Sequence, residues 1–346
     1  MLFRKGFSLL SLLVIFFAIF LYRMFFTTPL DTNESISFTI EQGESVAALA
    51  TRLEEAGLIR SATWFSRYIQ LKGIDTKIQA GTIAIEPPIT FAHIADALLK
   101  QTAKQEKEIT LLPGWDNRDI ATYLSEQGLG TSDDILDYIG KSAVDYRKNG
   151  FNKQDFSDHA FIAAAPDYAT LEGYLAPDTY RIFHDATLSE VIKKLLDERS
   201  TQLPIDLIAA INESGRTVHE VMIIASLLER EVRSPKDKAL VADIFWRRLD
   251  TGWALQADST VHYLTNKSGD VFTTASDRNV DSPWNTYKYP GLPLGPIANP
   301  SPESIQAAVF PEKNDYWYFL TTLDTGEVHY GKTLDEHNAN VARYLR

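Results

Sequence analysis

The chain has 346 residues, 45% hydrophobic and 23% charged, with a formal net charge of -12 and no cysteine. That length and composition give a folded protein of more than one domain. The acidic balance disfavours docking on nucleic-acid phosphates or anionic lipid, and the lack of cysteine excludes disulfides, thiolate nucleophiles and cysteine-held metal centres.

The N-terminus reads "MLFRKGFSLLSLLVIFFAIFLYRMFFTTP", with an uncharged run from Gly6 to Tyr22. Apolar residues continue past Arg23 to Phe26, enough to span a bilayer if Arg23 snorkels. The bulky stretch from Tyr22 to Phe26 does not look like a small-residue cleavage site. We therefore expect an uncleaved single-pass anchor over 1–26. Arg4 and Lys5 would hold its start in the cytoplasm, with the body outside. A polar tether is expected over 27–36.

An internal repeat follows. "IEQGESVAALATRLEEAGL" matches "LPGWDNRDIATYLSEQGL" at an offset of 71, pairing Gly43 with Gly114, Leu49 with Ile120, Leu53 with Leu124, and Gly57 with Gly128. Each copy reads as a strand, a glycine turn and an amphipathic helix stopped by glycine. A second echo follows each copy: a strand-like stretch, then Thr90 or Thr187 poised to cap a helix. The expectation is two small strand–helix–helix–strand units, the second carrying an insertion around 135–165. The first, 37–105, carries no dense polar cluster and reads as an accessory module, a folded spacer or a carbohydrate-binding scaffold. "YRKNGFNKQDFSD" in the insertion reads as an exposed loop.

From 217 the texture becomes helical. Thr217 and Glu220 have capping-box spacing at the head of "TVHEVMIIASLLEREV", and "KDKALVADIFWRRLDTG" reads as a second helix ended by Gly252. Between 253 and 300 the chain holds too many glycines, prolines and asparagines for regular helices, yet it is rich in aromatics and amides. Such side chains on stiff loops suit a ligand groove. "YWYFLT" and "EVHYG" read as a hairpin, followed by a last helix. The overall class is α+β.

No Gly-rich phosphate loop, His-Glu-x-x-His pair or nucleophile elbow is present. We expect no metal and no cofactor. That leaves the carboxylates of "ASLLERE". Met222, Ala225, Ser226 and Glu229 should share one stripe of their helix, so Glu229 interrupts an apolar face, while Arg230 and Glu231 look solvent-directed. Desolvation would raise the pKa of Glu229 and keep a proton on it near neutral pH. The bland alternative is a structural ion pair with Arg247 or Arg248. Gln256, Asp258, Tyr263, Trp284, Asn285 and Tyr287 supply the side-chain types that hold a sugar polymer.

Taken together, "LEGYLAPDTYRI", "ASLLERE", "LQADSTVHY" and "NTYKYPGLPLGPIANPSPESIQAAVFP" resemble the hallmark segments of the YceG-like endolytic transglycosylases, over 37–346. The resemblance implies an inner-membrane protein with a LysM-like portion over 37–105 and a catalytic domain over 106–346. It implies cutting within nascent peptidoglycan strands, with those strands as partner and peptidoglycan synthases as further partners. It implies that Glu229 protonates the leaving glycosidic oxygen, and that the C6 hydroxyl of N-acetylmuramic acid then attacks C1 to leave a 1,6-anhydro end. Gln256, Asp258 and Asn285 would orient the sugar, and Glu231 is the rival or helper of Glu229. Outside this reading stand a non-catalytic wall-binding scaffold and a hydrolytic muramidase.

Overall fold

The computed structural model describes residues 35–102, 106–266, 273–322 and 324–345, together with Val14–Phe16, Ile19 and Tyr22. The expected anchor and tether lie almost wholly outside these residues. No helix among the described residues is long and apolar enough to cross a membrane. The chain divides into two units, 1–106 and 107–346, and its class is mixed α+β.

The first unit runs β1 (Ile36–Ile40), α1 (Val46–Glu55), α2 (Ala62–Leu71), β2 (Gly81–Ile85) and α3 (Phe91–Thr102). The strands pair antiparallel with Ile36 opposite Ile85 and Phe38 opposite Ile83. Ser45 and Ser61 cap α1 and α2, and the Thr90 hydroxyl accepts the His93 N–H at 3.3 Å. Such caps satisfy orphan donors of the first turn. The core gathers Leu49, Leu53, Phe65, Ile69, Ile85 and Ile94.

The second unit opens the same way: β3 (Glu106–Thr110), α4 (Asn117–Glu126) and α5 (Ser132–Ile139), then a short α6 (Ala160–Ala163), β4 (Thr179–Phe183) and α7 (Leu188–Gln202). β3 pairs with β4. The residues related by the offset of 71 hold equivalent posts. Gly43 and Gly114 sit at φ +77° and +84°, and Gly57 and Gly128 at +70° and +81°. These are left-handed conformations that favour glycine. Leu49 and Ile120, and likewise Leu53 and Leu124, are core residues. The "YRKNGFNKQDFSD" segment is less exposed than expected. Phe156 is buried, and Lys153 Nζ donates to the carbonyls of Ile162, Ala165 and Pro166.

The rest of the unit is α8 (Ile205–Glu213), α9 (Val218–Glu231), α10 (Pro235–Asp250), α11 (Asp258–Thr265), α12 (Ala275–Arg278), α13 (Pro302–Val309), β5 (Tyr318–Thr321), β6 (Val328–Gly331) and α14 (Leu334–Tyr344). Two of these helices, α11 and α12, interrupt the stretch expected to lack regular helices. Both are short enough to fit between the breakers. Thr217 and Glu220 form the capping box of α9. Every residue from Val221 to Leu228 is buried, because α8, α10, α11 and α13 all pack on this helix. Each large aliphatic side chain there contributes roughly 1.5–3 kcal/mol. β5 and β6 form an antiparallel hairpin, Tyr318 opposite Gly331, and α14 lies on it with no buried residue.

Candidate active site

The last turn of α9 emerges from the core carrying Glu229, Arg230 and Glu231. Val232 is extended and ends the helix. Ser234 then caps α10, whose first residue is Pro235. This sharp reversal leaves the carboxylates at the head of a cleft of about 630 Å³. One wall carries Glu231, Gln256, Asp258 and Tyr287. The other carries Tyr318 and Thr321 of β5 with His337 and Val341 of α14.

Glu229 is locked at the edge of this cleft. Its Oε2 accepts the N–H of Ser301 at 2.9 Å, the Ser301 hydroxyl at 2.6 Å, the Ser304 hydroxyl at 2.6 Å and Lys238 Nζ at 3.2 Å. Ser301 is the N-cap of α13, so one carboxylate oxygen ties α9 and α10 to the start of α13. Burial alone would raise its pKa, as expected from the sequence. The hydrogen bonds from Ser301 and Ser304, with the charge of Lys238, outweigh burial and hold it below the ordinary glutamate range. The pairing partner is Lys238, not Arg247 or Arg248. Arg247 pairs with Asp243, and Arg248 donates to the carbonyls of Leu255 and Trp317.

Glu231 is the reverse case. It is not solvent-directed: it faces the cleft, and its Oε1 accepts the Ser259 N–H at 3.1 Å. Burial pushes its pKa up and the charge of Asp258 adds to the rise, while contacts from Ser259 and the charge of Arg230 offset only part of it. Its backbone carbonyl accepts the Thr321 hydroxyl at 2.9 Å, which fixes β5 against the end of α9. Asp258 Oδ1 accepts the hydroxyls of Thr273 at 2.7 Å and Tyr287 at 2.8 Å. Gln256 lines the same cleft in a left-handed conformation, φ +52°, one that a non-glycine residue holds only when its surroundings impose it. The imposing contacts are the Gln256 N–H to the Thr286 carbonyl at 3.2 Å and the Ala257 N–H to the Thr286 hydroxyl at 3.0 Å.

Thus Gln256, Asp258, Tyr287 and Glu231 meet in one place. Three other candidates do not join them. Asn285 is fully buried and staples its own loop: Nδ2 donates to the carbonyls of Arg278 and Val280, and Oδ1 accepts the Tyr287 N–H. Trp284 is core. Tyr263 points away, its hydroxyl donating to Glu172 Oε2 at 3.2 Å under the Arg118 guanidinium. Glu172 also accepts the Asn117 N–H at 3.0 Å and the Ser142 hydroxyl at 2.8 Å. Burial, with the charge of Asp116, pushes its pKa up to about 8.

Sequence reasoning missed Arg248, His262, Arg278, Tyr318 and His337, all of which line the cleft. Tyr318 and His337 stack with ring centroids 5.3 Å apart. Only fold contacts bring them to Glu231, so no local motif marked them. Among the described residues no group of three or more His, Asp or Glu side chains is placed to hold a metal ion.

A sequence profile described as the YceG-like family matches residues 38–343. The chain is 29% identical to an endolytic murein transglycosylase of Streptococcus pneumoniae, covering 92% of this chain and 60% of that protein. It therefore spans about 60% of the length of that relative. It is 31% identical to an endolytic murein transglycosylase of Bacillus subtilis, covering 94% of this chain and 90% of that protein. The crystal structure of a yceG-like protein from Listeria monocytogenes matches with a TM-score of 0.59 at 28% identity, over 89% of this chain and 99% of that one.

Proposed function

The chain belongs to the YceG-like family, and from that premise we propose that it is an endolytic murein transglycosylase with Glu231 as its proton donor. The observation that carries the assignment of the donor is the contrast between two glutamates on one helical turn. Glu231 faces the cleft with its pKa raised. Glu229 is held below the usual range by three donors and a lysine. A general acid needs a proton near neutral pH and access to the leaving oxygen. Glu231 lines the cleft with a raised pKa, whereas Glu229, which lines the same cleft, has its pKa lowered and its Oε2 taken up by four donors. This moves the donor two residues from the position implied by the sequence resemblance and gives Glu229 a positioning role.

In the proposed step, protonated Glu231 gives its proton to the glycosidic oxygen between N-acetylmuramic acid and N-acetylglucosamine. The C1–O bond breaks, and the C6 hydroxyl oxygen of the same muramic residue bonds to C1. Its proton returns to the Glu231 carboxylate. No water is consumed, and the product ends in 1,6-anhydro-N-acetylmuramic acid. The tethered nucleophile lowers the entropic barrier, so one carboxyl serves both transfers. In this reading the Asp258 carboxylate stabilises the positive charge that develops at C1, and its own charge raises the pKa of Glu231.

In the same reading, the first unit is a LysM-like glycan-binding module, supported by its β-α-α-β order and antiparallel strand pair. The run over 1–26 anchors the chain in the inner membrane with the catalytic unit outside, supported by the Arg4/Lys5 bias and apolar length. Peptidoglycan synthases are the protein partners that such a site on nascent strands would need. The test is mass spectrometry of purified uncrosslinked glycan strands after digestion. Anhydro ends are expected. Reducing ends would mark a muramidase, and intact strands a scaffold.

A further inference from the structure

The two walls of the cleft differ in chemistry. The wall described above is polar. The facing wall is the stripe of α14 and its end formed by Leu334, His337, Val341 and Leu345, all lining the cleft. Their spacing of three, four and four residues places them on one helical face. Such a stripe normally buries itself, yet α14 has no buried residue and Leu334 is 54% exposed. Of the four arginines that line the cleft, Arg230 and Arg248 donate to backbone carbonyls, and two others stand there, Arg233 and Arg278, the latter over the Tyr287 ring. Both are exposed, and neither is ion-paired among the described residues of this acidic chain.

Tyr318 and His337 give this wall flat rings, but a bare glycan strand does not match its aliphatic part, Leu334, Val341 and Leu345. Pyranose rings present C–H faces that stack on flat aromatic rings, and leucine and valine offer no plane. Stripped of its peptides, the strand keeps only one carboxylate, on the lactyl ether of every second sugar. Murein carries its aliphatic methyls and most of its carboxylates on the short peptide attached through the lactyl ether of every second sugar. We propose that the α14 side of the cleft is a stem-peptide subsite. Leu334, Val341 and Leu345 cover the lactyl and alanyl methyls, and Arg233 and Arg278 face the peptide carboxylates. The subsite rests on the reading of the cleft as a murein-cutting site and names the form of substrate it takes. The muramic residue being cut carries its peptide.

The test compares kcat/KM on uncrosslinked strands bearing stem peptides with kcat/KM on strands stripped by an amidase. Wild type should prefer peptide-bearing strands by about tenfold or more, the discrimination a few aliphatic contacts supply. The Leu334→Ser/Val341→Ser double variant should bring that ratio close to one, chiefly through KM. Arg233→Gln/Arg278→Gln should lower it in the same direction. Because Leu334 is exposed, Val341 only half-buried and both arginines exposed, these variants should fold, and thermal melts check that. A wild-type ratio of one, or folded variants that keep the wild-type ratio, overturns the subsite. If wild type cuts neither strand, the transglycosylase reading fails, and binding decides the subsite separately. Tighter binding of a peptide-bearing muramyl disaccharide than of the bare disaccharide supports it, and equal binding overturns it.

Discussion

The backbone N–H of Ser259 donates to Oε1 of Glu231 at 3.1 Å, joining the end of α9 to the start of α11. Ala257, the N-cap of α11, supplies no side-chain cap, so an orphan donor of the first turn is satisfied from another helix. That bond and the helix N-terminus favour an ionised Glu231. Burial and the neighbouring Asp258 win against them. The carboxyl is thus oriented by a fixed donor while its pKa is still raised.

Glu229 should matter for folding more than for proton transfer. Glu229→Ala strands Lys238, which is 5% exposed, along with the hydroxyls of Ser301 and Ser304. Removing one partner of a buried pair costs about 3–5 kcal/mol, or a melting-temperature drop of roughly 10 °C or more for a unit of this size. Adding Lys238→Met should recover part of that drop. Glu229→Gln should be milder, and the folded protein should keep activity within about tenfold of wild type, well short of the loss expected for a general acid. Calorimetry and turnover on the same preparations check this.

The helical repeat and its caps were legible because left-handed glycines and capping hydroxyls act locally. Gly43, Gly114, Thr187 and Thr217 each do in the fold what their neighbours in sequence predict. Which glutamate of "ASLLERE" faces the cleft was not legible. Helical periodicity assigns faces by contrast with a solvent side, and Val221 to Leu228 have none. Burial of Glu231 comes from β5 and α11, and the serines that stabilise the charge of Glu229 from the start of α13, all distant in sequence. Residue type likewise failed to separate Asp258 and Tyr287, which line the cleft, from Asn285 and Tyr263. Loops rich in breakers need amides to satisfy their own backbone.

Asp258→Asn should shift the alkaline limb of the kcat/KM profile to lower pH. The proton donor works only while protonated, so the limb lies at its pKa. The negative charge of Asp258 helps raise that pKa, and removing the charge lowers it. Turnover should also fall, but the position of the limb is the diagnostic. A limb that stays put, or moves to higher pH, would separate Asp258 from the proton donor.

Glu172 should make the fold pH-sensitive without touching substrate. Its pKa is raised to about 8 from an ordinary value of 4.5. Between those values the folded state holds a proton that the unfolded state has lost, so stability declines with rising pH. The contribution is full below about pH 4.5 and gone above about pH 8. Wild type should melt progressively lower from pH 6 to pH 9. Glu172→Gln, which cannot ionise, should lose part of that slope. Parallel slopes would show that other groups set it.

The most direct test of the account is turnover of Glu231→Gln on purified uncrosslinked glycan strands, with anhydro ends counted by mass spectrometry and a thermal melt as folding control. An amide cannot donate a proton to the leaving oxygen. The variant should keep its fold and lose activity by at least about 10²–10⁴-fold, while Glu229→Gln, assayed beside it, stays within about tenfold of wild type. A folded Glu231→Gln protein that still makes anhydro ends near the wild-type rate, next to an inactive folded Glu229→Gln, would contradict the assignment and return the proton to Glu229.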